Sequence, residues 1–320
     1  MRSTTVRAAL LLLLSFPFTG FADVPTPSID VLPHWTKGDQ FDLEITRTRE
    51  KSVNGKSTVM GTTRTPFTIE VLSAGTKGYL VGWTAGETTY GSPAPGAPSV
   101  LRQVADVMKG QQVILELDSR GAITGVRNWR ELKTATLKTM DTLLAPTQDS
   151  RNRNTDQVLL SKLRAQWESM FATKQQIEHL CTRDATLYFM VLGRGYTQHE
   201  PYEYGSVLPN PLDGEALPSR TSMALKSYDD ASGHAVITWR QTADPHESAR
   251  ILESTLNAMT ARLGRNRPEE EFPKAMAMHD NAEAVVDRRT GWVESLTLVR
   301  SMKLGSRAQV DTTAIVRTRK

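Results

Sequence analysis

Two short segments place side chains that can bind metals or act as nucleophiles close together. His199 and Glu203 lie four positions apart with Glu200 between them, and His179 lies two positions before Cys181, the single cysteine. On a strand, positions 199 and 203 share one face while position 200 points to the other, so the trio is a poor metal site. Side chains two apart on a helix diverge, which disfavours a Cys–His pair. Cys181 is therefore predicted to be a buried cysteine rather than a zinc ligand.

Motifs that identify common enzyme classes are missing from the sequence. It contains no G-x-S-x-G, no H-E-x-x-H, no G-x-x-x-x-G-K-[ST] and no EF-hand loop. Gly193-Arg194-Gly195 lacks the third glycine of a dinucleotide-binding turn. These observations favour a non-catalytic protein without a cofactor or a metal. An enzyme whose groups converge from distant positions stays open, with His199, Glu203 and His234 as its candidates.

One segment of the second half has the composition of a binding rim. Between Tyr196 and Gly214 it holds three tyrosines and three prolines with little regular periodicity. Tyrosine combines an apolar ring with a polar tip, which suits an amphipathic ligand or a peptide, but it is equally common on a half-exposed strand. The binding residues predicted from this segment are Tyr196, His199, Tyr202 and Tyr204. The alternative is a purely structural loop.

The start of the chain has the pattern of an export signal. Arg2 and Arg7 are followed by an apolar run from residue 8 to 18, and Gly20-Phe21-Ala22 places small residues at the two recognition positions. The run is shorter than the ~20 residues that a membrane-spanning helix needs. We therefore expect residues 1–22 to be a signal peptide and the mature protein to be periplasmic or secreted. No cysteine follows the run that could carry a lipid anchor.

Composition places the rest of the chain among water-soluble globular proteins. Of 320 residues, 39% are hydrophobic and 23% are charged, and the formal net charge of +4 is too small to indicate a dedicated nucleic-acid binder. No later stretch has eighteen consecutive apolar residues, so no second membrane span is expected. One cysteine excludes a disulfide framework within the chain.

Hydrophobic periodicity predicts strands in both halves of the chain, with helices between and among them. Alternating apolar residues, as in Phe41, Leu43 and Ile45, indicate half-buried strands. Helical spacing is found in the segments 99–110, 129–144, 158–180 and 244–263. The fold class expected is α+β, with one large curved antiparallel sheet, or two small ones side by side, against two or three helices. The predicted organisation is a first β-rich half at 23–128, a helical connector at 129–192 and a second β-rich half at 193–320 that packs with the first.

The two halves repeat the order of their elements. An Asp-x-Arg turn followed by glycine occurs at Asp118 and again at Asp287, and a strand tryptophan occurs at Trp83 and at Trp239. This order indicates a degenerate duplication of a β-β-β-α-β-β unit, with chance similarity among short hairpins as the alternative.

The order of elements resembles the plan of exported bacterial lipoprotein carriers. That resemblance implies an antiparallel sheet closed by helices around an apolar cavity. The function expected is an exported, non-catalytic protein that holds a lipid, an acyl chain or an apolar peptide in a sheet-helix groove. The alternative is an envelope interaction or scaffold module that uses the tyrosine-rich loop and an exposed sheet edge. Expected partners are thus a hydrophobic small molecule or an envelope protein.

Overall fold

The structure, a computed structural model, describes residues 28–91, 109–143, 161, 164–165, 168–169, 171–210, 214–262 and 276–318. The strands are β1 (Ser28–Val31), β2 (Gln40–Val53), β3 (Lys56–Gly75), β4 (Gly78–Ala85), β5 (Thr89–Gly91), β6 (Gln112–Leu117), β7 (Ile123–Val126), β8 (Arg194–Thr197), β9 (Tyr202–Leu208), β10 (Leu217–Asp229), β11 (His234–Ala243), β12 (Met276–Asp287), β13 (Trp292–Leu304) and β14 (Arg307–Thr318). The helices are α1 (Trp129–Leu143), α2 (Lys174–Phe189) and α3 (Pro245–Arg262).

Twelve strands form a single antiparallel sheet. Its order is β7-β6-β4-β3-β2-β14-β13-β12-β11-β10-β9, with β5 beside β3, and the edges of this path are β7 and β9. The remaining two strands, β1 and β8, form a separate antiparallel pair. The predicted α+β class is confirmed, and of the two sheet arrangements expected, the single large sheet is the one observed.

Strands from both halves of the chain meet in the middle of this sheet, where β2 pairs with β14. On either side, five strands follow one another as neighbours: β2, β3, β4, β6 and β7 in one half, and β9 to β13 in the other. Along the chain, a longer segment separates the third strand of each run from the fourth. The third strand carries Trp83 in one half and Trp239 in the other. The order of pairing is thus the same in the two halves.

A row of apolar side chains crosses the face of the sheet that the helices cover, called the inner face below. Cross-strand neighbours in this row are at most 3% exposed: Ile45, Ile315, Leu296, Ala284, Ile237 and Leu225. Helix α2 packs on this core through Ile177, Ala185, Tyr188 and Phe189. The Tyr188 hydroxyl donates to the Val293 carbonyl oxygen at 2.7 Å, and burial raises its pKa. This hydrogen bond fixes the helix to β13.

Helix α3 covers a second, smaller core at the β9 to β12 side of the inner face. Its apolar contacts are Ile251 and Leu252 with Leu208, Leu217 and Met278. The Asp244 carboxylate caps the helix by accepting from the backbone N–H groups of His246 and Glu247, both at 2.9 Å. In the sequence, the Asp244-Pro245 pair predicts a helix that starts with an N-cap aspartate and a first-position proline, and this start is confirmed.

Both Asp-x-Arg turns form as predicted. Asp118 follows β6 and accepts from the backbone of Arg120 and Ala122 at 2.9 Å, with Gly121 at φ 86°. Asp287 ends β12, and Gly291 follows at φ 75°. At such angles a side chain is strained, so each glycine is required by its turn.

Two predicted boundaries differ from the structure. The sequence predicts a strand at about 198–207, but β9 begins only at Tyr202, because a turn containing His199 at φ 65° precedes it and Pro201 has no N–H to donate. The helix expected over 158–180 is interrupted, because Thr173 and Gln176 form a capping box that starts α2 anew. The sequence also predicts a Gly-Pro-rich loop at 91–98, a polar linker at 148–154 and a helix end at Gly264. Apart from Gly91, these residues lie outside the described part of the chain, as do the predicted signal peptide and residues 99–108 of the first predicted helix.

A candidate binding cleft beside helix α2

The four residues predicted as a binding rim have different positions. Tyr196 lies on β8, is 3% exposed and donates its hydroxyl to the Val191 carbonyl oxygen at 2.8 Å. Burial raises its pKa. It belongs to the core, whereas His199 is exposed in the turn that follows β8.

Tyr202 and Tyr204 do lie together, on the edge strand β9. Their ring centroids are 5.4 Å apart, and the Arg194 guanidinium carbon lies 4.9 Å from the first ring and 5.5 Å from the second. Contacts of this kind are cation–π interactions, worth about 0.5–1 kcal/mol at an exposed site. Tyr202 is 52% exposed, so this cluster is a surface feature at the edge of the sheet.

A cleft that combines apolar and polar walls lies between α2 and the inner face of the first half. Its volume is about 270 Å³. Phe67, Trp83, Ala85 and Val113 supply the apolar side chains of the sheet. Helix α2 supplies Leu180, Cys181 and Asp184, and β2 supplies Arg47.

The sheet positions of this cleft follow from strand alternation and register. Phe67 on β3 pairs with Ala85 on β4, and Trp83 pairs with Val113 on β6, so all four share the inner face. Phe67 and Trp83 are in contact, with ring centroids 5.4 Å apart. Above them Leu180 on α2 is 42% exposed, which leaves an apolar side chain at the surface beside this floor.

Charged and hydroxyl groups surround the apolar part. The Arg47 guanidinium forms an ion pair with Asp184 and so joins β2 to α2 across the cleft. Lys109 lies 2.7 Å from Glu87 and lowers the pKa of that carboxyl by a hydrogen bond and by charge attraction. The hydroxyls of Thr65 and Thr88 are 2.9 Å apart. The cleft therefore offers both apolar contact and polar partners.

Cys181 is predicted to be a buried cysteine, and the structure gives its surroundings. Its side chain is partly buried in the wall of the cleft, and burial raises the pKa of the thiol to about 11. Because the thiolate is the reactive species, this thiol is a weak nucleophile at neutral pH.

A second groove runs along the other side of α2. It has a volume of about 460 Å³ and lies between the helix and the edge strand β7. Glu178 on α2 accepts from the backbone N–H of Val126 at 2.8 Å. An adjoining space of about 420 Å³ extends it past Arg120 and Arg194 to Tyr202. Tyr202 is thus the one predicted rim residue that lines these grooves.

Sequence reasoning missed the combination of residues that forms the cleft. Arg47 and Asp184 are 137 positions apart, and no local pattern links them. The usable signal was the alternation in β3 and β4, which predicts that Phe67 and Trp83 are buried. It does not predict where helix α2 lies on the inner face relative to these two rings.

Comparisons with known proteins add no assignment. The chain matches no protein-family model and no curated protein. In the described part of the chain, no three histidine, cysteine or acidic side chains are grouped as a metal site would require. None of the described helices has the length and apolar character needed to cross a membrane.

Proposed function

We propose that this protein is an exported, non-catalytic binding protein that holds a single-chain amphiphile, such as a fatty acid, in the cleft beside α2. The observation that carries the proposal is the position of Leu180, which is 42% exposed next to an apolar floor of Phe67 and Trp83. Phe67 and Trp83 are already buried, at 7% and 2% exposure, so an acyl chain in the cleft would cover Leu180 and remove its apolar surface from water.

The size of the cleft favours one chain over a diacyl lipid. Small-molecule sites usually measure about 300–1,000 Å³. At about 270 Å³ this cleft is slightly smaller than that range. The rest of the inner face under α2 is filled by the protein's own rings, among them Tyr188 and Phe189, whose centroids are 5.0 Å apart.

The polar rim suits the head of such a ligand. Arg47 and Lys109 provide positive charge, and Asp184 and Glu87 partly neutralise it. A carboxylate head would compete with Asp184 for Arg47, which would make binding depend on ionic strength.

Cys181 provides a direct probe of occupancy. The rate at which a maleimide modifies Cys181 should be measured at pH 9 with and without dodecanoate. Because Cys181 lines the cleft, a bound chain should slow the reaction several-fold. Solvent extraction of the purified protein, followed by mass spectrometry, would test for a ligand acquired in the cell.

Two variants of α2 make the test specific. Leu180→Asp places a charge in the cleft and should abolish protection by dodecanoate. His179→Asp is the matched control, because His179 is also exposed but borders the groove on the other side of the helix. Equal protection in both variants, or no protection in the unaltered protein, would contradict the proposal. Circular dichroism shows whether each variant is folded.

The edge strand β9 favours a second candidate function, the binding of a partner protein in the envelope. Tyr202 is 52% and Val207 is 63% exposed on this edge. An edge strand can accept an added strand from another chain, and an inserted charge blocks that pairing. A stoichiometric partner captured from envelope extracts should be lost with Val207→Asp and retained with Val316→Asp, at an exposed site on β14.

A further inference from the structure

Two turns lie side by side at one end of the sheet, one between β2 and β3 and the other between β13 and β14. We call this end, made of residues 51–60 and 303–307, the hairpin tip. The backbone N–H of Asn54 in the first turn donates to the Ser306 carbonyl oxygen in the second at 3.1 Å. Asn54, Gly55 and Gly305 have φ values of 52°, 81° and 59°. The two turns are therefore fixed side by side.

The hairpin tip exposes apolar side chains. Residues 53–60 are all exposed, and within them Val53 is 51%, Val59 is 36% and Met60 is 46% exposed. Single apolar residues at a surface are ordinary, but these three lie within eight positions, and the pairing of Val53 with Lys56 and of Val59 with Glu50 places them on both faces of the turn.

The hairpin tip is also basic. It carries Lys51, Lys56, Lys303 and Arg307, and it contains no acidic residue. Within the described part of the chain none of these four side chains forms an ion pair, whereas the nearby Arg49 is paired with Asp311 at 2.7 Å. Positive charge is therefore concentrated beside the exposed apolar residues.

We infer that the hairpin tip docks on an anionic phospholipid surface. Basic side chains beside a membrane are attracted by anionic lipids, and apolar side chains add affinity by entering the interface. Nucleic acid would explain the charge but not the exposed valines and methionine. The inference does not rest on the proposed ligand, because no tip residue lines the cleft beside α2.

Sedimentation with lipid vesicles tests this docking. The full chain should bind vesicles that contain phosphatidylglycerol and phosphatidylcholine more tightly than vesicles of phosphatidylcholine alone. Lys51→Gln combined with Lys56→Gln should weaken binding to the anionic vesicles on the order of tenfold. Val53→Ser combined with Met60→Ser should weaken binding to them as well, because it removes apolar side chains without changing charge.

Matched controls separate the hairpin tip from general electrostatics. Lys37→Gln combined with Lys77→Gln removes two exposed lysines that lie beyond the ends of β2 and β3 farthest from the hairpin tip. Val207→Ser removes an exposed apolar residue on β9. Both controls should bind as the unaltered protein does. The apolar segment at residues 8–18 is common to all variants, so differences among them report the tip. Equal losses in tip and control variants, no preference for anionic vesicles, or binding to nucleic acid alone would overturn the inference.

Discussion

Trp35 and Trp292 stack nearly face to face, with ring centroids 4.1 Å apart and ring planes 9° from parallel. Trp35 lies in the segment between β1 and β2, and Trp292 is the first residue of β13. The backbone N–H of His34 donates to the Thr290 carbonyl oxygen at 3.0 Å beside this stack. The stack therefore connects the start of the described chain to the turn between β12 and β13.

Replacing Trp292 by alanine should lower the free energy of unfolding by about 3–5 kcal/mol, because it removes a buried ring and leaves a cavity in the aromatic cluster. Trp292 is 3% exposed and also contacts Phe41, with centroids 4.5 Å apart. Urea unfolding followed by circular dichroism measures the loss. Trp129→Ala, at a half-buried position on α1, is the control and should cost clearly less. Equal costs would show that the stack is not a centre of stability.

The fold class was predictable because alternation, turns and caps are local signals. Asp118 and Asp287 specify their turns through their own carboxylates, and Asp244 specifies the start of α3 through its cap. The pairing of β2 with β14 was not predictable, because it joins strands from the two ends of the chain. Two hairpin-rich halves with the same local pattern are compatible with either one sheet or two.

The candidate cleft was less predictable than the fold. Composition drew attention to Tyr196, but its alternation on β8 places that ring in the core. The cleft beside α2 depends on where the helix crosses the sheet, and that is set by contacts such as Tyr188 with Val293. Such contacts join positions about a hundred residues apart and leave no local pattern in the sequence.

Asp280 is buried and forms a partly buried ion pair with Arg300, whose side chain is 29% exposed, and disruption of this pair should be costly. Asp280 on β12 is paired with Arg300 on β13 through two hydrogen bonds of 2.9 and 2.6 Å, and its side chain is 1% exposed. The hydrogen bond to Asp280 and its charge raise the pKa of Arg300. Asp280→Ala should lower the free energy of unfolding by about 3 kcal/mol, because it leaves a guanidinium largely buried without its partner.

A double variant distinguishes the cost of an unpaired charge from the value of the pair. Asp280→Leu combined with Arg300→Met removes both charges and should recover most of the stability lost in Asp280→Ala. Urea unfolding of the three proteins gives the comparison. A double variant as unstable as the single one would mean that the pair itself contributes the stability.

Asp244 should matter for the stability of α3 more than its exposed position suggests. Asp244→Ala removes the acceptor for two backbone N–H groups and should cost about 0.5–2 kcal/mol. Asp244→Asn keeps an acceptor and should cost less. The loss should be visible as faster amide exchange in α3, measured by mass spectrometry. Unchanged exchange in Asp244→Ala would contradict the capping role.

The reactivity of Cys181 should report its burial through its dependence on pH. Its thiol pKa of about 11 lies two units above the ordinary value of 9.0, so about 1% of the folded protein carries a thiolate at pH 9. The alkylation rate should rise about tenfold per pH unit up to about pH 11. Because the pKa of Cys181 is higher in the folded state, folding favours the protonated thiol. The contribution of this thiol to the free energy of unfolding is therefore fully present below pH 9 and is lost as the pH rises towards 11. In the protein unfolded by urea, the alkylation rate should level off near pH 9. If the rate for the folded protein also levelled off near pH 9, the thiol would not be desolvated in the wall of the cleft.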